Sequence, residues 1–244
     1  MHKKIIAMIP ARYEASRFPG KLLKVLEGKS IIARTYEAVL DSKLFDEVYV
    51  VADHTAIQEE LERIGGRVIM STKQHESGTD RIAEAVEQLP CDIVINVQGD
   101  EPFISREALQ KVIDLFQNKE VQIASLMMPI DDEEKIQNPN CVKVVVDRQC
   151  KALYFSRSPI PYLRDQTEPV QYFQHIGVYG YKKETLLQIT KLVQSPLEKI
   201  EKLENLRMLE NGLEIFLDTV QEIGIAIDTP EDFIKAQQFL AQKK

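Results

Sequence analysis

Four short segments gather side chains suited to phosphate and cation chemistry. IPARYEASRFPGK (9–21) carries Arg12, Arg17 and Lys21 with Gly20 beside them. Three cations on one short loop can enclose a polyphosphate through charge-assisted hydrogen bonds. The segment is neither a Walker loop nor a dinucleotide fingerprint, since GxxxxGK[ST] and GxGxxG are both absent. NVQGDEP (96–102) offers Asp100, a carboxylate suited to Mg²⁺ on nucleotide phosphates, although Gly-Asp also reads as an ordinary strand-end turn. In AIDTPEDF (226–233), Thr229, Pro230 and Asp232 form a helix-start signature. That role does not account for Asp228, just outside the helix, which is a candidate second metal carboxylate. In QHESGTDR (74–81), Ser77 or Thr79 can cap a helix, while Ser77, Gly78 and Arg81 can also hold a base edge or ribose.

The elements that position these residues follow from the apolar pattern. IIAMI (5–9), EVYVVA (47–52), RVIM (67–70) and DIVINV (92–97) read as strands, the continuous apolar runs among them buried on both faces. Helical spacing falls at 31–40, 55–64, 79–89 and near 105–117, which together make βαβ units on a largely parallel sheet. The Arg/Lys loop and Asp100 thus follow strands directly, at the carboxyl edge where open α/β sheets bind ligands. VQIASLMM (121–128) closes this half. Beyond about 130 strands predominate: CVKVVV (141–146), ALYFS (152–156), IGVYGY (176–181) and LEIFL (213–217). Pro159, Pro161 and Pro169 punctuate a long loop suited to a lid or partner contact. Helices are expected at 183–193, 198–210 and 230–242. In 198–210, Leu197, Ile200, Leu203, Leu206 and Leu209 form the expected buried stripe, and Glu198, Glu201 and Glu204 an adjoining solvated acidic face.

Charge sharpens the picture. The 244 residues hold 31 Lys+Arg and 38 Asp+Glu, a net −7 that argues against a nucleic-acid binder. Residues 1–29 nevertheless carry seven basic and two acidic side chains, a local +5 suited to a small anion. Cys91, Cys141 and Cys150 have no metal-ligand spacing, and an odd count favours free thiols in a reducing compartment. With no signal-peptide core and no run of about 18 apolar residues, a cytoplasmic location is expected.

IPARYEASRFPGK, HESGTDR, VQGDEP, NPNCVKVVVD, ALYFSRSPIP, HIGVYGY, SPLEKIEKLENLR and IDTPEDF, in this order, resemble the 3-deoxy-manno-octulosonate cytidylyltransferase (CMP-Kdo synthetase) family from about residue 4 to 240. The resemblance implies an α/β, Rossmann-like nucleotidyltransferase with a mostly parallel central sheet and a smaller mixed α/β second lobe. It implies one domain over 1–244: a nucleotide-binding half (1–129), a sugar-acid and dimerisation lobe (130–225), and a return to the core (226–244). The implied reaction joins CTP to Kdo, releasing pyrophosphate and giving CMP-Kdo for lipopolysaccharide assembly. Arg12, Ser16, Arg17 and Lys21 would hold the triphosphate; Ser77, Gly78 and Arg81 the cytosine; Asp100 and Asp228 the Mg²⁺. Arg12, Lys21, Asp100 and Asp228 would carry the catalysis. Gln98, Arg157, His175, Tyr179 and Glu204 would bind the sugar acid. His175 and Tyr179 lie four apart, on one face of a straight strand. A homodimer is implied too.

Two departures stand out: Asn205 where LEQLR-type members carry Gln, and EIGIAID before Asp228 where many have a longer PGTGVD-like stretch. Either change can accompany a modified Kdo such as an amino analogue. The competing readings are a cytidylyltransferase for 8-amino-Kdo or sialic acid, a UDP-sugar pyrophosphorylase-type enzyme, a glycosyltransferase, and a non-catalytic nucleotide sensor.

Overall fold

The structure, a computed structural model, describes residues 3–14, 18–165 and 170–242. The chain forms two compact units, Met1–Gln110 with Ile223–Lys244, and Lys111–Glu222.

The first unit opens with β1 (Ile5–Ala11), whose Ile6, Ala7, Met8 and Ile9 are fully buried, as its unbroken apolar run predicts. A short 3₁₀ turn (Lys21–Leu23) and a two-stranded ribbon, β2 (Val25–Leu26) with β3 (Lys29–Ser30), lead into α1 (Ile31–Asp41). Ser30 caps α1 by accepting from the Ala33 N–H at 3.2 Å. There follow β4 (Glu47–Ala52), α2 (Thr55–Glu62), β5 (Val68–Met70), α3 (Gly78–Val86) and β6 (Ile93–Asn96). All four main strands are parallel: β1 pairs with β4 on one side and β6 on the other, and β4 pairs with β5. The spatial order is therefore β6-β1-β4-β5. The chain winds outward from β1 through β4 to β5, then returns to β1's other flank. That reversal puts the topological switch point at the carboxyl ends of β1 and β6, where such sheets bind ligands.

The units divide within α4 (Arg106–Leu115). The second unit contains β7 (Ile123–Ile130), α5 (Glu133–Gln137), β8 (Lys143–Val146), β9 (Ala152–Ser156), β10 (Tyr172–Lys182), α6 (Lys183–Ile189), α7 (Pro196–Glu201), α8 (Asn205–Glu210) and β11 (Ile215–Thr219). Its strand order is β11-β7-β10-β8-β9, with β11 parallel to β7 and the remaining pairs antiparallel. A register shift interrupts the β7–β10 ladder between Ile176 and Gly180. The chain then returns to the first unit and ends in α9 (Pro230–Gln242).

The main departure from the sequence pattern lies at 198–210. One continuous helix was expected; two short ones form, separated at Lys202, whose φ of 54° is left-handed. The break resets the helical phase, so residues three apart across it no longer share a face. Leu206 is fully buried, but Ile200 is 76% and Leu197 36% exposed, which dissolves the expected apolar stripe. The acidic face is not solvated either. Glu198 is buried against Arg207, and Glu201 accepts hydrogen bonds from Ser156 Oγ (2.7 Å) and the Arg157 N–H (3.0 Å).

Candidate active site

At the carboxyl ends of β1 and β6 the first unit builds a charged cluster from three distant segments. Lys21, in the 3₁₀ turn after β1, places Nζ 2.5 Å from Asp100 Oδ2 and 2.9 Å from Asp228 Oδ1. Asp100 sits in the turn after β6 and Asp228 just before α9. The Ile227 N–H donates to the Asp100 carbonyl (2.9 Å), tying the two carboxylate-bearing segments together through backbone. Gly224 lets the C-terminal segment approach, because a Cβ there would lie 2.4 Å from the Phe103 carbonyl oxygen. The short EIGIAID stretch therefore delivers Asp228 to Asp100. The expected cap is present: Asp232 accepts from the Thr229 N–H (3.0 Å) and hydroxyl (2.9 Å), and its own N–H donates to Thr229 Oγ1 (3.2 Å).

Burial disfavours the Lys21 ammonium, but attraction to Asp100 and hydrogen bonds to both aspartates outweigh it, leaving its pKa above the usual lysine value. Next to the pair, Glu101 is buried at 8% exposure, and its Oε2 has no hydrogen-bond partner. Burial, reinforced by the neighbouring Asp100 charge and opposed by Lys21, pushes its carboxyl up to about 8. Among the described residues, no group of three or more His, Cys, Asp or Glu is arranged to hold a metal. The oxygen donors available there are the two aspartates already gathered around a cation.

Beside β1 and the start of α3, a cavity of about 210 Å³ is lined by Arg12, His75, Ser77, Gly78, Arg81 and Gln98, among others. Of the two capping options, Ser77 is the one used: its Oγ accepts from the Asp80 N–H at 3.1 Å. A Cβ on Gly78 would meet the Pro10 ring at 3.0 Å, so glycine keeps α3 close to β1. Arg81, only 6% exposed, donates from Nη2 to Asp53 Oδ2 (2.9 Å), while its buried Nη1 has no partner. Gln98, expected with the sugar-acid group, lines this same cavity and donates to Asn96 Oδ1 at 3.3 Å. Ser16 and Arg17 lie outside the described residues.

The remaining predicted residues belong to the second unit. His175 and Tyr179 on β10 do converge, with ring centroids 5.3 Å apart. Ser125 Oγ lies 3.1 Å from His175 Nε2, and burial lowers the imidazole to about 4. Burial drives the Tyr179 phenol far above its ordinary value despite a hydrogen bond with Asn205, and the Glu204 charge adds to the rise. Glu204 is the N-cap of α8. Arg157 is engaged with backbone: its guanidinium donates to the carbonyls of Glu201 (2.6 Å), Pro139 (2.9 Å) and Lys202 (3.3 Å).

Sequence reasoning missed Glu101, Asp53 and His75. Glu101 had a visible signal, two adjacent carboxyls in VQGDEP, whereas Asp53 meets Arg81 across 28 positions and leaves no local trace.

Comparison with known proteins agrees with this geometry. The sequence pattern of the Cytidylyltransferase family matches residues 6–215. A 3-deoxy-manno-octulosonate cytidylyltransferase of Christiangramia forsetii is 51% identical over 98% of this chain and 97% of its own. One from Flavobacterium johnsoniae is 53% identical over 97% and 98%. A CMP:2-keto-3-deoxy-manno-octonic acid synthetase solved in complex with CTP superposes with a TM-score of 0.94 at 37% identity, covering 99% of this chain and 100% of that one. With full-length identity at this level, the chain belongs to the 3-deoxy-manno-octulosonate cytidylyltransferases, within the wider cytidylyltransferase family.

Proposed function

We propose that the protein transfers the cytidylyl group of CTP to Kdo, forming CMP-Kdo and pyrophosphate for lipopolysaccharide assembly. The observation that carries this is the Lys21–Asp100–Asp228 cluster, together with a cavity in the same unit lined by Arg12, Ser77 and Arg81. In a chain about half identical to such enzymes along its length, that arrangement supports a nucleoside triphosphate site.

Asp100 and Asp228 suit Mg²⁺, a hard cation usually held by one or two carboxylates with phosphates and water completing the shell. Their present sharing of one ammonium supports that reading. When bound, Mg²⁺ would offset phosphate charge and polarise the α-phosphate. Arg12, Arg17 and Lys21 neutralise and orient the triphosphate, with Ser16 nearby. Ser77, Gly78 and Arg81, which line one cavity, hold the cytosine. The anomeric hydroxyl of Kdo then attacks the α-phosphorus in line, with pyrophosphate leaving. The protein contributes chiefly positioning and charge stabilisation.

For the sugar acid the proposed residues are Gln98, Arg157, His175, Tyr179 and Glu204. The mutual contact of His175 and Tyr179, and the bond from Asn205 to Tyr179, support a preformed polar group in the second unit. By domain, residues 1–129 and 226–244 serve the nucleotide, and 130–225 the sugar acid and homodimerisation. The proposed setting is the cytoplasm; no helix among the described residues is long and apolar enough to cross a membrane.

The test is pyrophosphate release with Mg²⁺, CTP and a panel of Kdo, 8-amino-Kdo, sialic acid and hexose 1-phosphates. Release with Kdo is expected. No release with any Kdo-type acid would overturn the reading, and release with 8-amino-Kdo alone would reassign the substrate.

A further inference from the structure

The segment 71–77, of which His75, Glu76 and Ser77 line the cavity, is pinned by a single carboxylate. Glu84, on α3, accepts from Ser71 Oγ (2.8 Å), from the Thr72 N–H (3.3 Å), from Thr72 Oγ1, and meets His75 Nε2 at 2.7 Å. The loop is further tied to the end of β4, the Ser71 N–H donating to the Ala52 carbonyl at 2.8 Å. Three residues of one short segment thus converge on one side chain that is itself only 18% exposed. Burial alone would raise the Glu84 carboxyl, but its hydrogen bonds hold it down to about 2, so it remains an acceptor across the working pH range.

His75 is where this framework meets the cavity. Its side chain is 11% exposed and lines the cavity together with Arg12, Ser77 and Arg81. An ionised carboxylate can only accept, so Nε2 carries the proton in that contact. In the neutral ring the other nitrogen, Nδ1, is then an acceptor, and it makes no hydrogen bond to any described residue. Among the described residues that line the cavity, Arg81 also keeps a buried Nη1 donor without a partner. At about 210 Å³ the cavity falls below the range typical of a whole drug-sized ligand, and so suits one moiety of a larger one. A cytosine ring presents both an exocyclic amine, which donates, and ring acceptors. Uracil replaces that amine with a carbonyl, which cannot donate to Nδ1.

We propose that His75 is a specificity-determining residue of the nucleotide site, its Nδ1 accepting from the exocyclic amine of cytosine, with Glu84 as the positioning residue that fixes its tautomer. The inference rests on the reading of this cavity as the base site of a CTP-using enzyme. It adds to that reading the group that separates CTP from UTP. A site built around a hydrogen bond discriminates because the wrong ligand leaves a buried polar group unpaired.

The experiment measures CTP and UTP binding by calorimetry in Mg²⁺ buffer without sugar, alongside pyrophosphate release with Kdo. His75→Leu is expected to weaken CTP by about ten-fold while leaving UTP unchanged. His75→Asn, whose amide oxygen can stand in for Nδ1, restores most of the preference, whereas His75→Gln, which mimics the other nitrogen, does not. Glu84→Gln reduces the CTP preference in the same direction. Equal weakening of CTP and UTP by His75→Leu, or a fall in kcat with the preference intact, overturns the proposal. If the leucine variant does not fold, the asparagine–glutamine contrast decides by the same criterion. A wild-type protein that prefers CTP through His75 yet releases no pyrophosphate with any Kdo-type acid would overturn the proposed reaction and leave this inference standing.

Discussion

Arg207→Met is the perturbation that most directly tests how the second unit holds its candidate sugar-acid residues. Arg207 and Glu198 are each 6% exposed, and the guanidinium donates to both carboxylate oxygens, Nε to Oε2 at 2.8 Å and Nη2 to Oε1 at 2.6 Å. The same carboxylate accepts from the Ser195 N–H at 3.2 Å, and Arg207 Nη1 donates to the Leu192 carbonyl at 3.2 Å. Removing the cation leaves a buried carboxylate uncompensated, which costs about 3–5 kcal/mol. For a chain of this size each kcal/mol moves Tm by about 2–4 °C, so the expected drop is roughly 6–20 °C. Thermal unfolding followed by circular dichroism, without ligands, measures it. Glu198→Gln keeps an acceptor for Ser195 but removes the stranded charge. The Glu198→Gln/Arg207→Met double variant should therefore melt above Arg207→Met alone, with a coupling energy of about 1 kcal/mol or more. A single-variant loss below about 2 °C would refute the burial argument. A double variant no better than the single would assign the loss to packing and the Leu192 contact instead of to charge. Because α8 carries Asn205 and Glu204 beside Tyr179, the variant should also raise KM for Kdo.

Asp100→Asn should lower pyrophosphate release at least 100-fold, the scale of losing an electrostatic contributor to the transition state, while far-ultraviolet circular dichroism stays native. Retained turnover would remove Asp100 from the catalytic group. Glu84 has a depressed folded-state pKa of about 2 against 4.5 ordinarily, so its stabilisation is full above about 4.5 and lost as pH falls toward 2. Glu84→Gln should therefore be less stable than the parent by on the order of 2 kcal/mol at pH 7, the gap closing near pH 2. A gap independent of pH would refute that assignment. Glu101 has the opposite sign: its folded-state pKa is raised to about 8, so the parent loses stability as pH rises between about 4.5 and 8. In metal-free buffer Glu101→Gln should melt above the parent at pH 9 and converge with it near pH 5; a lower melting temperature at pH 9 would show that Glu101 is charged in the fold.

Strands β1 and β6 were legible because strands buried on both faces read as nearly unbroken apolar runs, and their positions fix where Arg12 and Asp100 emerge. The capping motif at Thr229 was legible for the same local reason, and by accounting for its neighbours it isolated Asp228. What the sequence could not display is pairing over distance. Lys21 finds its carboxylates 79 and 207 positions away, and Glu201 finds Ser156 at 45. Periodicity also failed at Lys202, where a left-handed residue inside an otherwise helical pattern split one amphipathic stripe into two unrelated faces. Glu198 looked like a surface acid because its partner, Arg207, lies beyond that break.

The first unit is discontinuous in sequence, and Asp228 arrives on its returning segment, Ile223–Lys244. On a nascent chain, Lys21 and Asp100 are therefore synthesised long before the second aspartate exists. At about 5–20 residues per second, the interval between residues 110 and 228 lasts roughly 6–24 s. Throughout it Lys21 has one carboxylate to neutralise rather than two, and Asp100 lacks the Ile227 backbone donor that ties the segments together. Assembly of the charged centre thus waits on Asp228 and is a late event of synthesis.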